Sequence, residues 1–428
     1  MKVFIADYIG IIYLEEKFLK KGHTVYLNVN RSFNHKLRDI SDLNIKYPNQ
    51  LIFVEDKKML DEIVPLVDFG IQYNCGNPSI IDRVFKKYNK VLVHSKTFAP
   101  FILEKDRIFA KRLDLGFDRY DVRYVASYME FKEIPKKKRY VLKAYNENSS
   151  KINDNFRTVI TKNNDELGEI LKLDTYGHIK SGGAVLEEYI DGVEICCGFY
   201  WDSEKIVANT VFINQEYKCV LDNNRSGVLG GESGTVIVPI EVKDLPKRFK
   251  IAVQKLSEYL KENFPNFHGF IDMNTMIKGN KLYLLEFTVR VGVPTEYEIA
   301  RIIGDYAEFI ECVATGKEFT HKIKKGFYTF VCLYPYGYPY SYGRFIFVSM
   351  KNPIPKNMIP IFYKYEGNKM YYYECGRCLA FVGFGNTLED SIKDCYTSLY
   401  KWDDNHLIYR NDIGKDFMKA WTSLNNLE

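Results

Sequence analysis

The 428-residue chain contains no run of about 18 or more apolar residues, so a membrane-spanning helix is excluded. Its first residues, 1–7, lack the apolar segment and small-residue cleavage site of a secretory signal and read instead as a strand. Nine cysteines are an odd number, with Cys196 and Cys197 adjacent and on opposite faces of any strand, so no disulfide framework suggests itself. A reducing, cytoplasmic setting is expected. An excess of one charge is also missing. The 60 Lys and Arg residues against 55 Asp and Glu leave +5, too slight for an electrostatic nucleic-acid footprint. Tryptophan is scarce at 3, while 33 Tyr and 29 Phe are abundant. The turn Asp7-Tyr8-Ile9-Gly10 lacks GxGxxG, which removes support for a nicotinamide or flavin site.

What is present is ordinary globular composition, 46% hydrophobic and 27% charged, which excludes dominant disorder. At about 150 residues per domain the length predicts two to three domains. Residues 2–6 are apolar and β-prone, Ile11, Leu14 and Phe18 recur at helical spacing, and 24–29 form a strand after Gly22. Further strands at 51–54, 67–73 and 91–94 make residues 1–96 a doubly wound α/β domain. A helix over 103–113 follows, then the basic run Lys136-Lys137-Lys138-Arg139, read as a solvated loop, and a strand at 140–143. Strands at 184–190 and 193–200 flank Asp191-Gly192. An amphipathic helix is predicted over 247–263, and strands 269–277 and 281–288 form a hairpin about Lys278-Gly279-Asn280. Past residue 320 strand-forming residues dominate until Thr387-Leu388-Glu389-Asp390 starts a helix with capping-box chemistry.

Four elements of the middle third carry chemistry. Lys143 and Lys151 flank a polar loop and could hold phosphates as point charges, or be surface lysines. The segment Glu187-Glu188-Tyr189-Ile190 runs through Asp191-Gly192 to Glu194, either an adenine-reading edge with a ribose acceptor or a plain edge strand. In the second hairpin strand, period 2 puts Leu284, Glu286, Thr288 and Arg290 on one face, where polar groups replace an apolar stripe. Burying them without partners is costly, so they form either an ion pair or a cation-plus-phosphate site. Asp272, Asn274 and Met276 share a face of the partner strand. Gly230-Gly231 would let a loop approach a ligand closely.

The order of Lys143, Glu187-Glu188-Tyr189-Ile190-Asp191-Gly192-Val193-Glu194, Gly230-Gly231 and Leu285-Glu286-Phe287-Thr288-Val289-Arg290-Val291-Gly292-Val293-Pro294 resembles the ATP-grasp superfamily. Within it, the chain is similar to the glycinamide ribonucleotide synthetases, the phosphoribosylamine–glycine ligases. The similarity takes in Leu103-Glu104 to Phe109-Ala110-Lys111 upstream. Downstream it takes in Gly376-Arg377-Cys378-Leu379, Gly385-Asn386-Thr387-Leu388-Glu389 and Asn411-Asp412-Ile413-Gly414. The resemblance implies an α/β fold in three parts: a pre-ATP-grasp domain, 1–96; an α+β ATP-grasp domain, 97–319, with a lid over about 128–191; and a cap, 320–428. It assigns Arg107, Lys143 and Lys151 to ATP phosphates, Glu187, Glu188, Tyr189 and Ile190 to adenine, Glu194 to ribose, and Met276 to the nucleotide-binding set. It assigns Glu286 to Mg2+ or Mn2+, with Thr288 at the family's second ligand position and Asp272 or Asn274 as compensating ligands, and Arg290 and Lys151 act on the transferring phosphoryl group.

Departures fall where the family holds its substrates. The lid loop 146–151 has no glycine, Thr288 replaces the family's metal-binding Asn, and Gly292-Val293-Pro294-Thr295 replaces Gly-Asp-Pro-Glu. Gly227-Val228-Leu229 replaces Pro-Asn-Thr, and the N-terminal Gly-Gly-Arg-Glu-His turn is absent. The expected activity is ATP-dependent, ADP-forming ligation of a small amino acid, glycine first, to an amine such as an aminated sugar or nucleobase. Its alternatives are the purine-pathway ligase itself and a silent ATP-binding scaffold. Small-molecule partners, a monomer or homodimer, no membrane, and nucleic acid only through a modified-base acceptor complete the expectation. Cys375 and Cys378 form a lone CxxC read as strand-lining cysteines, His268 is read as a packing or hydrogen-bonding residue, and Tyr334 to Tyr340 as a rigid loop.

Overall fold

The computed structural model describes residues 1–7, 12–29, 46–54, 59–73, 79–95, 107–134, 138–145, 158–225, 232–292, 295–335, 345–348, 355–361, 363–366, 369–373, 377–402 and 407–427. Lys151 and the rest of loop 146–151, Tyr8 to Gly10, Gly227, Gly230, Gly231, Val293, Pro294, Tyr336 to Tyr340 and Cys375 lie outside them.

Strands β1 (Lys2–Asp7), β2 (Thr24–Val29), β3 (Leu51–Phe53), β4 (Phe69–Tyr73) and β5 (Leu92–Val93) form a parallel sheet of order β3-β2-β1-β4-β5. Burial on both faces explains the unbroken apolar run of β1. Val3 and Ile5 pack into one core, Phe4 into another. The strand order turns back between β1 and β4, as in a doubly wound sheet.

A four-stranded antiparallel sheet of order β6-β9-β7-β8 follows, from β6 (Val122–Val125), β7 (Tyr140–Ala144), β8 (Thr158–Ile160) and β9 (Ala184–Glu188). It packs on the helix Asn164–Leu173 through Leu167, Leu171, Leu142 and Leu186. Asn163 caps that helix, its side chain accepting from Glu166 N at 2.9 Å.

The largest sheet has nine strands. Its main order is β14-β13-β10-β11-β12-β15-β20-β17, with β21 (Leu407–Ile408) pairing β15. The central members are β10 (Val193–Asp202), β11 (Ile206–Glu216), β12 (Gly234–Glu241), β13 (His268–Lys278), β14 (Lys281–Thr288) and β15 (Phe327–Pro335). Strands β17 (Met358–Pro360) and β20 (Leu379–Gly385) extend it. Strands β16 (Phe345–Val348), β18 (Tyr363–Glu366) and β19 (Lys369–Tyr373) make a separate small sheet. One face of the large sheet is apolar. Ile195, Cys197, Phe199, Ile213, Ile271 and Met273 pack on the helix Lys247–Asn263 through Phe249, Val253, Leu256 and Leu260, a stripe at helical period.

The small parallel sheet docks on the large one where His94 N donates to His268 O at 2.8 Å. Gly269, at φ +150°, permits this approach, because an added Cβ would lie 2.9 Å from His94 N. His94 is buried, and desolvation pushes its imidazole down to about 3, so it stays neutral. The expected hydrogen-bonding role of His268 holds, since its ring nitrogen Nδ1 donates to Val313 O at 2.7 Å.

Candidate functional site

The second face of the large sheet is polar, and register explains how. Across the antiparallel ladder Asp272 stands opposite Gly198 and Thr288, and Asn274 opposite Cys196 and Glu286. Glu194 faces Met276, and Cys196 faces Asn214. Directly opposed residues share a face. Glu194, Cys196, Asn214, Asp272, Asn274, Met276, Glu286 and Thr288 are thus presented together.

One sequence expectation is corrected here. Leu284 does not share the face of Glu286 and Thr288. Asn274 pairs Glu286 while Thr275 pairs Leu284, so Leu285 is an extra residue, a β-bulge. Leu282, Leu284, Phe287 and Val289 all enter the apolar core. The bulge resets the alternation and turns the Glu286 carboxylate away from that core.

Above this face the four-stranded sheet and the helix Arg107–Arg112 contribute a line of charges. Lys111 Nζ lies 2.5 Å from Glu187 Oε1, and Lys143 Nζ lies 3.0 Å from Glu187 Oε2 and 3.6 Å from Glu286 Oε2. Glu187 is 2% exposed, so its charge is viable only between cations. The Tyr120 hydroxyl donates to Leu284 O at 2.8 Å and reaches Glu187 Oε2 at 3.2 Å. This ties the small sheet to β14.

Lys218 closes the opposite side, 3.0 Å from Glu194 Oε1 and 3.4 Å from Glu216 Oε2. These two carboxylates hold its ammonium well above the usual lysine range against the effect of burial. Burial pushes the Glu216 carboxyl up, Lys218 opposing and nearby acids reinforcing the shift. Asp272, 5% exposed, is pushed up to about 7 by desolvation, against the Asn214 amide and Lys218. Cys196 donates through its thiol to Asn274 Oδ1 at 2.8 Å, and Asn274 Nδ2 donates to Thr288 Oγ1 at 3.2 Å.

The remaining expected residues are dispersed. Arg107 opens the helix Arg107–Arg112. Glu188 Oε2 is engaged by Lys138 Nζ at 2.6 Å and Asp121 N at 3.2 Å, and the Arg139 guanidinium stacks 4.0 Å from the Tyr189 ring. Lys138 and Arg139 thus contact β9 and the residue after it, and the strand expected over 184–190 ends at Glu188; the Lys138 side chain stays 46% exposed, as in a solvated loop, and Lys136 and Lys137 lie outside the described residues. Ile190 is buried and Arg290 half-buried just beyond β14. Cys378 is buried in the core around β20. Lys111, Glu216 and Lys218 received no role from sequence. Lys111 lies one helical turn after Arg107, and Glu216 and Lys218 continue the period-2 series from Asn214, so their spacing held the signal.

Residues 105–296 match the phosphoribosylglycinamide synthetase, ATP-grasp (A) domain family. The phosphoribosylamine–glycine ligase of Fusobacterium nucleatum is 24% identical over 416 residues, covering 92% of this chain and 93% of that protein. The one from Clostridium acetobutylicum is 28% identical over 236 residues, covering 54% of this chain and 56% of its own length. Among solved structures, Thermotoga maritima phosphoribosylamine–glycine ligase superimposes with a TM-score of 0.68 at 19% identity, over 96% of this chain and 100% of that one. The biotin carboxylase domain of Hydrogenobacter thermophilus 2-oxoglutarate carboxylase, solved with MgADP, gives 0.63 at 13% identity, over 95% and 91%. The chain has the ATP-grasp fold and is an ATP-grasp ligase related to the phosphoribosylamine–glycine ligases. Among the described residues no helix is long and apolar enough to cross a membrane.

Proposed function

We propose that the chain is an ADP-forming carboxylate–amine ligase that activates a small amino acid, glycine first, as an acyl phosphate and passes it to an amine other than phosphoribosylamine. The observation that carries this reading is the approach of Lys143 to Glu286, 3.6 Å apart, above a face holding Asp272, Asn274 and Thr288. A phosphate-binding cation from one sheet meets a cation-binding carboxylate from another, the requirement for positioning a triphosphate.

In this reading Arg107, Lys143 and Lys151 hold the ATP phosphates, 187–190 borders adenine, Glu194 accepts from ribose, Met276 contacts the nucleotide and Arg290 steadies the transferred group. Glu286, Thr288, Asp272 and Asn274 are the ligands of Mg2+ or Mn2+. The donor set suits a hard ion: all four offer oxygen, and Asp272 Oδ1 is buried with no hydrogen-bond partner among the described residues. When bound, the ion would neutralise phosphate oxygens as charge develops in phosphoryl transfer. Lys143, fixed between two carboxylates, presents its ammonium at one place. Asp272 and Asn274, both buried, keep water from their end of the face, where it would hydrolyse an acyl phosphate. The substrate carboxylate oxygen attacks the γ-phosphorus as the bond to ADP breaks. The amine nitrogen then attacks the acyl carbon, phosphate departs, and the nitrogen sheds a proton. No protein nucleophile is required.

The division into 1–96, 97–319 with its lid at about 128–191, and 320–428 belongs to this proposal, as do small-molecule partners, a cytoplasmic setting and a monomer or homodimer. The departure from the family's N-terminal phosphate-binding turn supports a different amine. The naming of the Fusobacterium relative favours a second reading, with phosphoribosylamine as acceptor.

Hydroxylamine intercepts acyl phosphates, so ATP-dependent hydroxamate formation finds the carboxylate before the amine is known. Glycine should give hydroxamate. Silence with every amino acid at saturating ATP would remove the ligase reading, and efficient conversion of phosphoribosylamine with glycine would establish the second reading instead.

A further inference from the structure

Beside the proposed cation set lies a donor group of a different chemical kind. Cys196 on β10, Glu216 on β11 and Asp272 on β13 come from three adjacent strands. The Cys196 thiol and one carboxylate oxygen from each acid all lie within 4.8 Å of one another. Register explains the grouping. Cys196 is opposite Asn214, two residues before Glu216, and Asp272 is two residues from Asn274, opposite Cys196 on its other side. Donors set on three hydrogen-bonded strands are held more rigidly than donors on loops.

A second observation points to a ligand. Asp272 Oδ1 and Asn214 Oδ1 are both buried, 5% and 1% exposed by residue, with no hydrogen-bond partner among the described residues. The Asn214 amide also faces the Asp272 carboxyl, which places Asn214 beside the donor group. Buried oxygens of this kind ordinarily have partners, and a bound cation supplies one. Lys218 Nζ lies 3.4 Å from Oε2 of Glu216 at the edge of this group.

We propose that Cys196, Glu216 and Asp272, with Asn214 Oδ1 beside them, bind a borderline-soft divalent transition-metal ion of the zinc class. Thiolate ligands select such ions over magnesium, which takes oxygen ligands. Donors around a tetrahedral zinc ion lie roughly 3.3–3.8 Å apart for bonds of about 2.0–2.3 Å, so small side-chain rotations bring the three onto one ion. Binding breaks the S–H bond, forms the sulfur–metal bond and releases the proton to solvent. It also removes the thiol donor from Asn274 Oδ1, coupling this site to the hard-ion set. The site shares Asp272 with the proposed ligase centre, but its test needs neither nucleotide nor turnover.

The test is a Co2+ titration of the full-length, chelator-stripped protein without nucleotide, followed by thiolate-to-cobalt charge-transfer absorption in the near ultraviolet. The expected result is a saturating band at one cobalt per chain, displaced by zinc but not by excess magnesium. It should persist in Cys197→Ala, whose side chain lies in the opposite core, and vanish in Cys196→Ser. Glu216→Gln should weaken cobalt binding by at least about tenfold, the least expected even for an outer-shell partner. No band in the parent, or a band retained in Cys196→Ser, would overturn the proposal. Should Cys196→Ser fail to fold, the rise in melting temperature on adding zinc decides: it should be present in the parent and clearly smaller at the same zinc concentration in Glu216→Gln, and an equal rise there would count against the site. A cobalt band without hydroxamate formation would sink the ligase reading alone, and hydroxamate without a band this site alone.

Discussion

Lys143 on β7 stands between Glu187 of its own sheet, at 3.0 Å, and Glu286 of the nine-stranded sheet, at 3.6 Å, with the lysine and Glu187 nearly buried and Glu286 half-buried. Glu187 has a second cation in Lys111 at 2.5 Å. The two partners of the inner pair are therefore not equivalent. Lys143→Met leaves Glu187 with Lys111, whereas Glu187→Ala removes the carboxylate shared by two buried ammonium groups and leaves Lys143 with Glu286 at 3.6 Å. Breaking a buried pair from one side costs about 3–5 kcal/mol when nothing compensates. Glu187→Ala should approach that loss in urea unfolding, and Lys143→Met should lose clearly less while weakening ATP binding in calorimetry. The reverse order of stability would show that Lys111 does not compensate.

Glu286→Gln keeps the shape of the side chain and removes its charge. The side chain is 28% exposed, so the stability change should stay within about 1 kcal/mol. Cation-dependent ADP release should fall by at least about 100-fold, the scale for losing one group that stabilises transition-state charge. Turnover equal to the parent at every magnesium concentration would assign Glu286 to structure.

Glu296 is buried beneath the site, accepting from Tyr200 at 2.9 Å and from Tyr306. Desolvation pushes its carboxyl up to about 7, with the two tyrosine hydroxyls opposing the shift. The folded protein therefore holds this proton between the unfolded value of 4.5 and about 7, while the unfolded chain has lost it. The stability this group confers is full below pH 4.5 and declines as pH rises through 7. The span corresponds to roughly 3 kcal/mol as an order of magnitude. Glu296→Gln should flatten the profile, matching the parent near pH 5 and exceeding it at pH 8 in thermal melts. Parallel profiles for the two proteins would exclude Glu296 as the source.

Much of the architecture was legible because it rests on local periodicity. The helix Lys247–Asn263 has the bounds its apolar stripe predicts, and Thr387 caps the helix Leu388–Lys401 by accepting from Asp390 N at 3.1 Å. The β13–β14 hairpin was readable from Gly279, which takes φ +58° at the turn. The bulge at Leu285 was not, because strict alternation and a one-residue reset look alike in Leu-Tyr-Leu-Leu-Glu-Phe until the partner strand is known. The charge line Lys111, Glu187, Lys143, Glu286 was half legible. In sequence order its members stand 32, 44 and 99 positions apart, and only the two sheets and the helix Arg107–Arg112 bring them together. Glu216 and Lys218 were missed for the same reason: a buried acid and a lysine at a strand end read as solvent-facing until β10 and β13 enclose them.

Gly198 offers a test of how tightly the polar face is built. It is the one position of β10 between Cys196 and Tyr200 on that face, and an added Cβ would press within contact distance of Phe270 Cζ and lie 3.0 Å from Asp272 Oδ1. Phe270 cannot yield easily, since its ring packs 5.1 Å from Tyr200 in the core beneath. Inserting one carbon into a filled site costs about 1–3 kcal/mol. Gly198→Ala should lose that much in denaturant unfolding and also weaken divalent-cation binding, because relief comes partly by moving Asp272. Gly279→Ala is the contrasting variant: its turn has open space around the new Cβ, so it should be destabilised through φ alone and leave cation binding unchanged. Equal cation affinity in Gly198→Ala and the parent would show that Asp272 either stays in place or does not hold the ion.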